Sequence, residues 1–143
     1  SIINASTNDK GLTLFATDGA IEIDAISNID DLTITNSSAL TNLNGNIFLG
    51  GDFIADTRNM KLADNLEITT GGNIDFKNTK LSTTNTETTT TLSAMATGTT
   101  IKLGDITAGK LIVNSKALHL NGEVTTSKTI DESLDLSNSG AIL

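Results

Sequence analysis

The chain has 143 residues, a formal net charge of −8, four Phe and no Pro, Cys, Trp or Tyr. The missing cysteine excludes disulfides, Cys-ligated zinc and thiol chemistry. The acidic balance argues against nucleic acid and against anionic membrane surfaces, both of which need a basic footprint. Apolar residues recur along the whole length, which argues against disorder.

Taken in chain order, the local signal is β throughout. Alternating apolar pairs run Leu12/Leu14, Ile21/Ile23, Leu32/Ile34, Ile47/Leu49, Leu66/Ile68, Ile74/Phe76, Ile101/Leu103, Leu111/Val113, Leu118/Leu120 and Leu134/Leu136. Alternation puts both members of a pair on one face of a strand and polar neighbours such as Thr13, Glu22, Thr33, Glu67, Asp75 and Lys102 on the other. Asn, Gly, Ser and Asp cluster between the pairs, which is turn chemistry. No window carries a helical apolar stripe with start and stop signals. No apolar run approaches a membrane span.

The pairs recur on three interleaved series. The first runs Leu12, Leu32, Phe53, Ile74, Leu92, Leu111, Leu134; the second Ile21, Leu40, Met60, Leu81, Ile101, Leu118, Ile142; the third Ile26, Ile47, Leu66, Thr86, Ile106, Val124. Each steps by roughly 20 residues, the range of solenoid repeats. Three series at one period predict an all-β, three-sided parallel β-helix of about seven coils, filled by stacked aliphatic side chains. Turn residues Asn36, Thr57, Asn78, Thr97, Ser115 and Asn138 follow the first series; they suit a coil-to-coil hydrogen-bonded ladder and equally the plain preference of Asn and Ser for turns. A β-sandwich with hairpins at Asn44-Gly45, Gly50-Gly51, Gly71-Gly72 and Asn121-Gly122 is the competitor, but it leaves the single period unexplained. The opening Ser1-Ile2-Ile3-Asn4 has no signal-peptide pattern. Neither end shows a cap, so residues 1–143 read as one segment cut from a longer solenoid.

Gly19-Ala-Ile-Glu-Ile-Asp-Ala25, the stretch from Asn65 to Leu81 and Gly104-Asp-Ile-Thr-Ala-Gly-Lys-Leu-Ile-Val-Asn114 resemble filamentous-haemagglutinin-type repeats. Those repeats read loosely as Gly-Asn/Asp-aliphatic-x-aliphatic followed by Ala, Asn or Gly. The resemblance implies right-handed winding and a very long bacterial exoprotein, secreted or held at the cell surface. It also implies export through a partner outer-membrane transporter and a role in adhesion, haemolysis or contact-dependent inhibition. The family's secretion domain carries an Asn-Pro signature that a Pro-free chain lacks, so the resemblance points to repeat shaft.

Candidate chemistry is sparse. His119 is the only histidine and alternation turns it outward, without the second His or Cys that a transition metal needs. Arg58 is the only arginine; with Asp56, Thr57 and Asn59 it makes one weak constellation, and Asp52, Asp56 and Asp64 are the carboxylates a polysaccharide-active β-helix enzyme would have to gather. Gly50-Gly51-Asp52-Phe53 lacks the second Gly-x-Asp of a calcium-binding nonapeptide, and Asp30-Asp31 reads as a solvated turn. These readings assign no catalytic residue, cofactor or metal. The run Ser82–Thr91 places Thr86 and Thr88 where the third series expects aliphatics. An ice-binding array would need Thr-x-Thr on several successive coils, which the neighbours do not supply. Phe15 and Phe48 alternate outward and, with Thr86 and Thr88, are the candidate surface contacts. The expected function is a structural shaft flanked by further coils of its parent, presenting binding or toxic regions located elsewhere. The alternative is an adhesive surface for a host-cell receptor or glycan; a polysaccharide lyase or hydrolase and an ice-binding solenoid follow behind.

Overall fold

The structure, a computed structural model, describes residues 2–4, 10–126, 133–137 and 139–143, with backbone alone for 2–4, 38 and 39. No described residue is helical, and every strand pairing is parallel. Parallel pairing throughout excludes the hairpins of a sandwich and leaves a β-solenoid.

The strands fall on three faces. The first face stacks Leu12–Ala16, the opening halves of Leu32–Leu43 and Phe53–Leu62, Ile74–Phe76, Thr100–Leu103, the closing half of Lys110–Leu120 and the end of Ser139–Ile142. The second stacks Ile21–Ile23, the closing halves of Leu32–Leu43 and Phe53–Leu62, then Lys80–Thr83, Ile106–Ala108 and Val124–Thr126. The third stacks Ile2–Asn4, Ala25–Ile29, Ile47–Leu49, Glu67–Thr70, Thr89–Ala94, the opening half of Lys110–Leu120 and Leu134–Asp135. From Leu12 to Ile142 the first face carries seven strands, which bound six turns rather than the seven coils that spacing suggests. At ~4.8 Å per coil the stack is on the order of 30 Å long.

Inside, like residues stack in columns. Leu32, Phe53, Ile74, Ile101 and Leu118 rise along the first face, and Ile26, Ile47, Ile68, Leu92 and Val113 along the third, all of them buried. Met60, Leu81 and Ile106 do the same on the second. Two of the four phenylalanines are spent here: the Phe53 and Phe76 rings meet edge to face with centroids 4.9 Å apart.

The strand pairs are those the alternation predicts, but the threading departs from the spacing series after Leu81. Leu92, Leu111 and Leu134 lie on the third face, Ile101, Leu118 and Ile142 on the first, and Ile106 and Val124 on the second. The reason is turn length. Ile74 pairs with Ile101, a step of 27 residues, because the turns around 84–88 and 96–99 hold extra chain. Ile101 then pairs with Leu118 after only 17, so the average stays near the period and hides the slip. A smaller correction falls at Leu40, which is exposed; its neighbour Thr41 turns inward and pairs with Met60.

Some corner residues do form a coil-to-coil ladder. Asn36 and Thr57 are paired and buried, but the next member is Thr79, whose hydroxyl donates to the Ala55 carbonyl at 2.8 Å and accepts the Thr57 N–H at 3.1 Å. Asn78 and Thr97 are exposed instead, while the buried Thr99 hydroxyl bonds the Ala94 carbonyl at 2.8 Å. Ser115 sits at a different corner, where the third face turns into the first, bonded to Ser139 at 3.2 Å. Asn138 lies outside the described residues.

The Thr run also feeds the core. Thr90 is fully buried beside Leu111 on the next coil, and its hydroxyl has no hydrogen-bond partner. An unsatisfied buried hydroxyl costs about 1–3 kcal/mol, and valine has nearly the same shape. Thr90→Val is therefore expected to raise stability by about 1 kcal/mol in urea unfolding followed by circular dichroism. A loss of stability would show that the hydroxyl is satisfied in solution.

Candidate functional site

Because outward residues are as strictly in register as inward ones, surface chemistry also comes in columns. On the second face Glu22, Asn42, Lys61 and Ser82 follow one another coil by coil. The Glu22 carboxylate accepts hydrogen bonds from the Asn44 amide at 3.0 Å and from the Asn42 amide. Both bonds, Asn44 the stronger influence, hold the Glu22 pKa below the usual glutamate range, with Lys61 assisting through its charge.

A second column marks the corner entering the first face. The Asp31 carboxylate accepts the Asp52 N–H at 2.7 Å, Asp52 accepts the Asn73 N–H at 2.6 Å, and the Asn73 side-chain oxygen accepts the Thr100 N–H at 2.8 Å. Each acidic or amide side chain thus ties its turn to the next coil. The glycines before Asp52 and Asn73 leave room for this: a Cβ on Gly51 would stand 2.2 Å from the Asp31 carboxylate oxygen, and one on Gly72 2.1 Å from that of Asp52. Asp31 is accordingly a backbone tether, and the Gly-Gly-Asp and Gly-Gly-Asn sequences are corner geometry.

The carboxylates an enzyme would need do not converge. Asp52 stands at the corner before the first face, Asp56 on the outer side of that face, and Asp64 beyond the second face, bonded to Asn85 at 3.3 Å. Among the described residues no three His, Cys, Asp or Glu side chains come close enough to hold a metal ion. Thr57 is buried, so it parts from Arg58, which faces outward with Asn59. His119 stands on the outer side of the first face, in register with Lys102.

Of the four surface candidates, two face outward as contacts should. Phe15 is 70% exposed on the first face and Phe48 is 42% exposed on the third. Thr86 lies in an exposed turn, not in a strand. Thr88 is a correction: it is buried, and its hydroxyl accepts the Asn65 N–H and donates to the Asn65 side-chain oxygen at 3.4 Å. That pairing secures the turn in which Asn65 takes a left-handed conformation (φ 54°). Thr91 and Ser93 do face outward, but they register with Glu67 and Thr69 on one side and Ile112 and Asn114 on the other, so no flat threonine array forms.

An open crevice of about 220 Å³ borders Phe48 and is lined also by Asn28, Leu49, Gly50 and Thr69. It exists because of a bulge that sequence reasoning missed. Ile26 pairs with Ile47 and Ile29 with Leu49, so three steps on one strand oppose two on the other, and Asn28 absorbs the excess at φ 59°. Asparagine is one of the few residues that takes this conformation readily. The lining residues are one phenylalanine, an asparagine, a threonine, a leucine and a glycine, with no acid or base among them.

Comparison with protein-family models, with curated proteins and with solved structures finds no match to this chain.

Proposed function

We propose that this chain is a stretch of shaft: a stiff spacer within a larger secreted or cell-surface exoprotein, holding binding or toxic regions at a distance and catalysing nothing itself. The observation that supports this reading is continuity. Among the described residues, hydrogen-bond ladders climb six steps on the first and third faces and five on the second, with one bulge between Ile26 and Ile29, around a single core of stacked side chains. Each coil leans only on its neighbours, so stiffness accumulates with coil number and further coils of the parent would cover both open ends. Secretion through an outer-membrane transporter belongs to the same reading and rests on the repeat resemblance.

A second reading is carried by the Phe48 crevice, with Phe15 as another exposed aromatic: an adhesive surface on the shaft for a host glycan or protein. One experiment separates the two. The purified chain is applied to a glycan array and to intact host cells, with a β-helix of matched length as control. The spacer reading expects no saturable binding above that control. Saturable binding lost on Phe48→Ser would overturn it and make this segment an adhesive module.

A further inference from the structure

Nine Lys and Arg stand against seventeen Asp and Glu in this chain, yet three of the nine line one cleft. Arg58, Lys77 and Lys80, with Asn78, Asp105 and Asn121, line an open cleft of about 310 Å³ where the first face turns into the second. The cleft is a step in the corner. Between Phe76 and Lys80 the chain makes a three-residue turn, whereas the next coil crosses from Leu103 to Ile106 in two residues and the longer turn overhangs it. Gly104 lies tight beneath that overhang: a Cβ there would stand 2.8 Å from the Thr79 carbonyl oxygen and 2.9 Å from that of Lys77. The buried Thr79 hydroxyl pins the overhang to Ala55 and Thr57 on the coil on its other side. Arg58 reaches the cleft from that same coil, since its neighbour Asn59 registers with Lys80.

The charges in the cleft are poorly compensated. Lys77 has only a loose, solvent-exposed pair with Asp75 at 3.8 Å, and neither Arg58 nor Lys80 makes an ion pair among the described residues. The single lining carboxylate, Asp105, already accepts the Glu123 N–H at 2.9 Å. Three basic residues thus line the cleft with one tethered carboxylate and the amide residues Asn78 and Asn121, while Asp75, the partner of Lys77, stands outside the lining. A guanidinium offers a planar fork matched to two oxygens of a carboxylate, sulfate or phosphate, and each lysine adds a mobile point charge.

We propose that this corner cleft is an oxyanion-binding site, taking a carboxylate, sulfate or phosphate group either as the free ion or on an acidic sugar. The site does not depend on the spacer reading: a shaft with this cleft presents an anion-selective ledge on its side. The test is a titration of the isotope-labelled chain with sulfate, phosphate, glucuronate and neutral glucose, at constant ionic strength, read by NMR. At least one oxyanion should give saturable shifts confined to the Arg58 side chain and the backbone of Lys77–Lys80 and Gly104–Asp105, with glucose silent. Glucuronate binding more tightly than the inorganic ions identifies an acidic sugar; equal binding identifies the free oxyanion. Arg58→Gln should weaken binding by about tenfold or more, with Lys80→Gln as the companion variant should the first fail to fold. Lys116→Gln, at a residue that does not line the cleft, should leave it unchanged. Absence of any saturable shift would overturn the proposal. So would an equal loss in Lys116→Gln, because the field would then be diffuse.

Discussion

Phe53→Ala should remove about 3–5 kcal/mol of stability, a large share of what a domain of this size possesses. Phe53 is completely buried, stacked between Leu32 and Ile74 on adjoining coils and set edge-on to Phe76 at 4.9 Å. Deleting the ring forfeits its transfer free energy and leaves a hole. The coils on either side cannot close that hole without breaking the register of three hydrogen-bond ladders at once. The ring pair adds roughly 0.5–1.5 kcal/mol beyond burial. A double-mutant cycle of Phe53→Leu and Phe76→Leu should therefore show coupling of that order. With no Trp or Tyr in the chain, circular dichroism in urea is the measurement of choice. A loss below about 1 kcal/mol would mean that the interior relaxes far more freely than stacked coils allow.

Gly45→Ala should be nearly as damaging, at about 3 kcal/mol or more, although it adds a single carbon at the surface. A Cβ on Gly45 would fall 1.5 Å from the carbonyl oxygen of Asp24 and 2.5 Å from its carbonyl carbon. The obstacle is backbone of the preceding coil, which no rotamer change can clear, and the Asn44 N–H is bonded to the Ile23 carbonyl at 2.7 Å beside it. Gly98→Ala is the instructive contrast. Its φ of +83° strains any Cβ-bearing residue, yet nothing lies within 4 Å, so the cost should stay near the conformational penalty of about 1–2 kcal/mol. Equal losses at the two positions would show that close stacking of corners is not what Gly45 serves.

The parallel three-faced architecture was legible because two periods are written into the residues: alternation within strands and recurrence at roughly 20 residues between them. What was not legible is where each strand docks once turns change length. Thr90 occupies an inward place that aliphatics fill elsewhere, and the turns around 84–88 and 96–99 are polar, so neither leaves a mark in the apolar pattern. For the same reason Thr86 and Thr88 were read as a strand pair, although one lies in an exposed turn and the other is buried. Phe15 and Phe48 were placed correctly by alternation alone. The basic cleft was invisible: Arg58 stands alone in the sequence, and only the coil register brings Lys77 and Lys80 to it.

The uneven coils carry a consequence for how the chain finds its one arrangement. A solenoid of identical turns is like a thread that can seat one groove too high or too low, each mistake nearly as comfortable as the right answer. Here a 27-residue step is followed by one of 17, a succession of lengths that occurs nowhere else on the first face. Shifted by a whole turn, the long loop would land on a corner built for a short one. The irregularity that obscures the period thus works as a key cut into the thread, and it lets six similar turns assemble in a single order.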